Sequence, residues 1–549
     1  MKGNANGNVI VKVFRFDPSV DPGPRYETYE VPFTVGMRVL DVLDYIRSEF
    51  DRDFAYRSNC RSGQCGSCAV MINGRPGLAC QTSLGDNERT LTIEPLPVFP
   101  IIRDLVVDLE KGYAKLMRLN PFMHRAEGGA DPSSEKIYPK DVEEISPLRG
   151  CIECWSCVAA CPVISVDWSS YFGPLAGVQL ARLCLNKRNA FDHLTLAFLE
   201  GLSACTQCGN CADVCPREID IPEKAIGKMR YLAYNKRGLI RRGHANLIES
   251  LKREYNPLGE SRTSRADWAK DLGIEVPRIG DGGGASILYF VGCMASWRER
   301  TVARATAALL SASGADYAIL GSEERDCGSI LFRLGDLDLA LEFAKYMKKV
   351  SDENGFSSII TSCAGCFRTF KKDYPEKLGI ELGPSILHSS QYFKECIRNG
   401  SLKIINKFGG KAVTYHDPCH LGRHVGVYED PREIIKSVGL NLVEMSNNRH
   451  HENSRCCGAG GGVRSGHREL AKAIADYRIK SDVPHAVNVV VHACPFCYFN
   501  FEDARSFDPS NDINNVDITE ILLLATSGEG VCKKVLGSER FDFLKRLLS

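Results

Sequence analysis

The chain has 549 residues, 44% of them hydrophobic, with 69 Lys and Arg against 68 Asp and Glu and a formal net charge of +1. That length implies several domains, and the balanced charge gives no footing for a nucleic acid or an anionic membrane surface as partner. No stretch approaches the roughly 18 apolar residues of a membrane span, and Met1-Lys2-Gly3-Asn4 lacks a charged-then-apolar signal pattern, so a cytoplasmic location is expected. In a reducing compartment, 24 cysteines in CxxC-type groups are expected to be metal ligands and not disulfides.

Along residues 1–100, alternation predicts strands over Val9–Phe14 and Tyr26–Val31, and Val39, Leu40, Leu43, Ile46 and Phe50 stand at helical spacing. Cys60, Cys65 and Cys68 follow in a Gly-rich loop whose small residues let backbone N–H groups reach cluster sulfurs, and Cys80 completes the set after a predicted strand Ala69–Ile72. This is the plant-type [2Fe-2S] spacing, and it does not match the paired CxxC of zinc ribbons. Residues 101–245 carry two C-x2-C-x2-C-x3-C-P runs, Cys151, Cys154, Cys157 and Cys161, then Cys205, Cys208, Cys211 and Cys215. In two-cluster ferredoxins the fourth cysteine of each run serves the other cluster. One [4Fe-4S] cluster is therefore expected on Cys151, Cys154, Cys157 and Cys215, and a second on Cys205, Cys208, Cys211 and Cys161.

A linker, 246–285, ends in Gly280-Asp281-Gly282-Gly283-Gly284, where glycines favour flexibility. Beyond it the chain repeats. Apolar strands over Ile287–Val291, Ile359–Ser362, Ala412–Tyr415 and Val487–Val491 run into Cys293, Cys363, Cys419 and Cys494, and equivalent cysteines are offset by 126 to 131 residues. Strands ending at cysteines, with helical segments between, read as two α/β units with ligands at strand C-terminal ends. The second unit has five thiols, Cys419, Cys456, Cys457, Cys494 and Cys497, more than an ordinary [4Fe-4S] cube uses. The first has Cys293, Cys327, Cys363 and Cys366, with Asp326 where the first cysteine of a Cys-Cys pair would stand. Four thiols there suit zinc, a cubane cluster, or an altered cluster with an Asp326 oxygen, as a redox centre or as a structural staple. Cys184, Cys396 and Cys532 fall outside every motif and read as small buried hydrophobes.

The five-cysteine spacing of the second unit resembles the CCG domain of heterodisulfide reductase catalytic subunits, which implies a noncubane [4Fe-4S] cluster acting on a disulfide. Residues 1–245 resemble the iron-sulfur subunit of succinate dehydrogenase and fumarate reductase, which implies a flavoprotein partner holding FAD. Many members of that family lack the cysteine matching Cys208 and carry [3Fe-4S]; its presence here implies a complete cube. Taken together the chain resembles the B-subunit family of methanogen thiol:fumarate reductases. That resemblance implies thiol oxidation at Cys419, Cys456, Cys457, Cys494 and Cys497, with coenzyme M and coenzyme B as thiols and electrons passed to the flavoprotein that reduces fumarate.

The fold class expected is multidomain α+β and α/β: a β-grasp plant-type ferredoxin domain (1–100), an α-helical two-cluster domain (101–245), the linker, and two repeated α/β CCG units (286–408 and 409–549). Anionic thiols would call for basic groups near the cluster, and His416, His420, Arg423, His424 and Arg464 flank its cysteines. Two other readings compete. One is a succinate:quinone oxidoreductase subunit with its CCG units at the quinone end. The other is an electron-transfer subunit of a 2-hydroxyacid oxidase, against which the plant-type set at Cys60–Cys80 argues. No GxGxxG dinucleotide fingerprint follows a strand, consistent with flavin residing in the partner.

Overall fold

The computed structural model describes residues 7–85, 90–125, 138–280, 284–505 and 512–548. The chain divides into two compact units, Met1–Leu239 and Ile240–Ser549. Among the described residues no helix is long and apolar enough to cross a membrane.

The first unit begins with a five-stranded sheet. β1 (Asn8–Arg15) pairs antiparallel with β2 (Arg25–Pro32). On its other edge it runs parallel to β5 (Thr90–Glu94), which lies antiparallel to β3 (Ala69–Ile72), itself in a hairpin with β4 (Arg75–Leu78). Alternation in β1 puts Val9, Val11 and Val13 on one face, all fully buried. The helix Val39–Glu49 covers that face with Val39, Leu40, Val42, Leu43 and Ile46. After a small hairpin, β6 (Ile101–Arg103) and β7 (Val106–Val107), the unit is helical. Its short helices Ser156–Ala159, Pro162–Val166 and Asn210–Asp213 start within or directly after the cysteine runs. The longer Pro174–Cys184 and Lys228–Arg237 pack around them.

The second unit contains one topology twice. β8 (Ile287–Tyr289), β9 (Tyr317–Ala318), β10 (Ser358–Thr361) and β11 (Ser385–His388) form a parallel sheet in the spatial order β9-β8-β10-β11. β12 (Ala412–His416), β13 (Asn441–Leu442), β14 (Val489–His492) and β15 (Asn514–Asp517) repeat it as β13-β12-β14-β15. In each, the chain steps to one side of its first strand and then crosses to the other, so direction reverses between the first and third strands. Such a reversal opens a crevice beyond the strand C-terminal ends. Cys293 and Cys363 follow the two strands flanking the first crevice, and Cys419 and Cys494 those flanking the second. The central strands are buried along their length, as a parallel sheet covered on both faces requires.

The segment expected as a linker is largely ordered. Helix Arg242–Glu254 spans its start and buries Leu247, Ile248 and Leu251, and Trp268 lies buried in a turn beyond it. An amphipathic helix with a buried stripe belongs to the body it packs on, so the boundary falls between Leu239 and Ile240 and not near 245. Of the glycine-rich stretch, residues 281–283 lie outside the described residues.

The glycine after Cys456-Cys457 is dictated by packing. Gly458 has φ +93°, and a Cβ there would lie 2.4 Å from the carbonyl oxygen of Ala471 in helix Arg468–Asp482. Gly458→Ala combines the left-handed penalty with a backbone clash, together about 2–5 kcal/mol. The expected outcome is a drop in the thermal midpoint of the Ile240–Ser549 unit, read by calorimetry on anaerobic protein; an unchanged midpoint would show that the helix yields freely.

Candidate functional site

In the first unit, Cys60 Sγ accepts backbone N–H groups from Ser62, Gln64 and Cys65 at 3.5, 3.2 and 3.3 Å. Those bonds lower the thiol to about 6. Burial instead pushes Cys68 up to about 12, although its sulfur accepts the Cys80 N–H at 3.5 Å. The loop is built to hold thiolates at its outer edge and to close over them at its inner one. Gly66, at φ +72°, has room for no side chain: a Cβ would lie 2.8 Å from the Ile152 oxygen and 2.9 Å from Cys154 Cβ. The plant-type loop therefore lies directly on the loop that carries Cys154.

Cys151, Cys154, Cys157 and Cys215 face one cavity, with Pro216 in its wall. Cys161 lies with Cys205, Cys208 and Cys211, whose charges act on one another. The fourth cysteine of each run thus sits with the other run, the crossed arrangement expected from spacing. Buried Arg230 donates to the carbonyls of Leu202 and Cys205, at 3.0 and 2.7 Å, and puts a positive charge beside Cys205 that opposes the upward push of burial on its thiol. Nothing in the local sequence marks this arginine, which lies in a helix beyond both runs.

In the second unit the crevices of both sheets open on a single cavity of about 260 Å³. Cys293, Cys327, Cys363 and Cys366 of the first repeat line it, and so do Cys419, Cys457, Cys494 and Cys497 of the second. Cys363 and Cys494 are hydrogen-bond neighbours across the repeats. Cys456 lies behind the wall, where its sulfur accepts the Gly458 N–H at 3.3 Å. Sulfur donors in this number, gathered in a buried and largely apolar pocket, suit soft iron-sulfur or zinc centres. The first repeat offers an oxygen as well. Asp326 lines the cavity beside Cys293, and one of its oxygens accepts the Gly328 N–H at 2.8 Å while burial raises its pKa.

The basic residues expected near the second set separate into different roles. His420 and Arg464 line the cavity; His416, Arg423 and His424 are not among its lining residues. His416 is fully buried, and its Nδ1 accepts the Arg478 Nε–H at 3.0 Å. The neutral ring then carries its hydrogen on Nε2, whose neighbour is the Cys457 sulfur. His416 is thus a buried neutral ring held in one tautomer by a guanidinium, close to the Cys457 and Cys497 sulfurs, with its Nε2 unpartnered among the described residues. Arg423 donates to the Glu452 and Ser454 carbonyls and ties the Cys419 and Cys456 loops together. The Nε2 atoms of His420 and His424 are buried without a hydrogen-bond partner among the described residues, and burial together with Arg368 lowers both pKa values well below the usual histidine range.

Charged pairs stand around the cavity, and apart from Arg464 sequence spacing singled out none of these residues. Arg333 and Arg368 both reach Asp373 in the interior, and Arg333 lines the cavity. Arg265 binds Glu324, which accepts the Val291 and Gly292 N–H groups at 2.9 Å each and so fixes the turn before Cys293. Arg464 is held by Asp503 at 2.6 Å, and Arg298 by Glu260 at 2.7 Å. Of the unassigned cysteines, Cys396 and Cys532 are buried and Cys184 is half-buried.

Three known domain families match the chain. A 2Fe-2S iron-sulfur cluster binding domain covers residues 10–114, a 4Fe-4S dicluster domain covers 147–219, and a cysteine-rich domain occurs twice, over 287–371 and 413–502. The B-subunit of fumarate reductase (CoM/CoB) from Methanothermobacter marburgensis is 34% identical over 522 residues, which span 95% of this chain and 100% of that protein. The D-subunit of dihydromethanophenazine:CoB--CoM heterodisulfide reductase from Methanosarcina barkeri is 34% identical over 399 residues, 69% of this chain and 94% of the relative. Among solved structures, a hypothetical protein from Helicobacter pylori aligns over 98% of both chains with a TM-score of 0.66 at 12% identity, a likeness of fold. With both cluster-binding domains, the duplicated cysteine-rich domain and that full-length relative, the chain belongs to the B-subunit family of fumarate reductase (CoM/CoB) and is one component of an oxidoreductase complex.

Proposed function

We propose that this chain oxidises coenzyme M and coenzyme B thiols to their mixed disulfide and relays the electrons to a flavoprotein that reduces fumarate to succinate. The observation that carries the reading is the single cavity lined by cysteines of both repeats. Joining two thiols breaks two S–H bonds, forms one S–S bond and releases two electrons and two protons, and fumarate takes up two of each. Bound iron-sulfur clusters supply one-electron carriers and a sulfur-binding metal at the reacting end. On this reading Cys60, Cys65, Cys68 and Cys80 hold [2Fe-2S], the two crossed sets hold [4Fe-4S], and Cys419, Cys456, Cys457, Cys494 and Cys497 hold a noncubane cluster. Cys293, Cys327, Cys363 and Cys366 hold a further cluster or zinc, with Asp326 as an oxygen donor.

The chain's own residues do the rest. Apolar walls and buried sulfurs keep water from the reacting thiols. Arg298, Arg333 and Arg464 each already have a carboxylate partner, so they offer guanidinium N–H groups to an anionic thiol without making the cavity a strong anion sink. The Gly460–Gly462 stretch leaves backbone exposed to a ligand. His420, neutral and in the wall, offers its ring to the sulfur chemistry. The contact of the Cys60–Cys68 loop with Cys154 supports an electron path from the dicluster to the plant-type set, and from there to the flavoprotein.

Three outcomes are expected. Cys457→Ser in the assembled complex should abolish thiol-dependent fumarate reduction yet leave fumarate reduction by an artificial donor at the parental rate. Thiol oxidation at the parental rate would end the assignment. The isolated chain should contain no flavin and be inert toward fumarate, and stoichiometric flavin copurifying with it would place the second half-reaction here instead. Finally, His416→Phe removes a ring N–H that lies near the Cys457 sulfur and would donate to it once a cluster is bound. Hydrogen bonds to cluster sulfurs stabilise the reduced, more negative state, so the potential of the second-repeat cluster should fall. A redox titration followed by electron paramagnetic resonance reads the shift, and an unmoved potential would show that Nε2 does not act on that sulfur.

A further inference from the structure

Outside the sulfur cavity, the loop after β13 brings two adjacent histidines onto one point. His450 is extended, φ −130° and ψ 173°, whereas His451 has φ +49°, a left-handed conformation uncommon for a residue with a side chain. Adjacent side chains normally diverge. This backbone turns them together, and the two Nδ1 atoms lie 2.8 Å apart. Glu444 joins them, so that a carboxylate oxygen and two ring nitrogens fall within 4.8 Å of one another. Non-glycine strain of this kind persists only where its surroundings over-determine it, and it is often tied to function.

The second layer matches that of a metal centre. His451 Nε2 pairs with Glu429 Oε1 at 2.7 Å, which puts the ring hydrogen on Nε2 and leaves the Nδ1 lone pair facing His450 and Glu444. Behind Glu444 lies Arg432, whose guanidinium bridges Glu444 and Asp417 at 2.7 to 2.9 Å. Arg432 pairs with Asp417 and Glu444 while Glu429 pairs with His451, so three carboxylates and one guanidinium stand around the two imidazoles and leave two negative charges there. A divalent cation would cancel them.

We propose that Glu444, His450 and His451 form a divalent metal site of the zinc class, with Glu429 as the carboxylate that orients His451. Nitrogen and oxygen donors of this kind suit zinc and its first-row neighbours and set the site apart from the sulfur-lined cavity. The site is also tied to the cysteine loops. Asp417 accepts the His451 N–H at 3.0 Å and stands two residues before Cys419, and His451 stands five before Cys456. A metal here would clamp the loop after β13 against the turn that presents Cys419.

The test uses the full chain, iron-loaded and anaerobic, titrated with Zn²⁺ alone and then with Co²⁺ alone, bound metal being counted by mass spectrometry. The parental chain should take up one equivalent more than the His450→Ala/His451→Ala variant, with iron and sulfide content equal in the two. The extra Co²⁺ should show weak visible bands without the intense sulfur-to-cobalt absorption of a cysteine site. Glu429→Gln, which keeps all three ligands, should weaken that equivalent about 10- to 100-fold. Should the double variant lose iron through misfolding, Glu429→Gln and Glu444→Gln decide the matter. Equal metal uptake by parent and variants, or sulfur-type cobalt absorption for the extra equivalent, would overturn the site and leave the histidine pair as a hydrogen bond alone.

Discussion

The C-terminal unit depends on a reversal of strand order. In each half the second strand goes to one side of the first and the third to the other, which forces the C-terminal ends of β8 and β10, and of β12 and β14, to border a crevice. Cysteines at those ends then converge without any loop having to search for them. Because the topology occurs twice, two sets of sulfurs meet in one cavity, and neither repeat alone supplies its full lining. Residues that look like separate motifs along the chain become walls of one chamber.

A second constraint is the amount of charge kept inside. Arg265 with Glu324, Arg333 and Arg368 with Asp373, Arg432 with Asp417, and Arg478 with Asp482 are all buried pairs close to the cysteine turns. Such pairs contribute little net stability, yet removing one partner typically costs about 3–5 kcal/mol because the other charge is stranded. Their effect is to fix geometry. Glu324 holds the turn before Cys293 by two backbone N–H groups, Asp417 receives both Arg432 and His451, and Arg478 sets the His416 tautomer. The guanidiniums also place positive charge around sulfurs that ligate metal only as thiolates.

The cysteines and the strands that carry them were legible in the sequence, since ligand spacing and short apolar runs are local signals. The strands expected over Val9–Phe14, Ala69–Ile72, Ile359–Ser362 and Ala412–Tyr415 all lie where periodicity placed them. The edge strands β9, β11, β13 and β15 were not anticipated. They are two to four residues long, and most mix polar with apolar side chains, so their pairing comes from the neighbouring strand and not from their own pattern. The order within the expected linker, 246–285, was not legible, because the glycines at 280–284 signal flexibility while Leu247, Ile248 and Leu251 form only a short buried stripe. Apart from Arg423 and Arg464, the site's cations were equally hidden. Arg478 meets His416 across 62 residues and Arg333 meets Asp373 across 40, and no local window contains either contact.

The meeting of Cys363 with Cys494 across the two repeats bears on how the protein ages. On the proposed ligand assignment, both sulfurs are occupied while metal is bound. Once metal is lost in air they become two neighbouring thiols from opposite halves of the unit, the arrangement in which sulfurs join oxidatively. A bond there would staple the chamber shut and remove one donor from each set. Iron added afterwards would then find an incomplete site until a reductant had first reopened it.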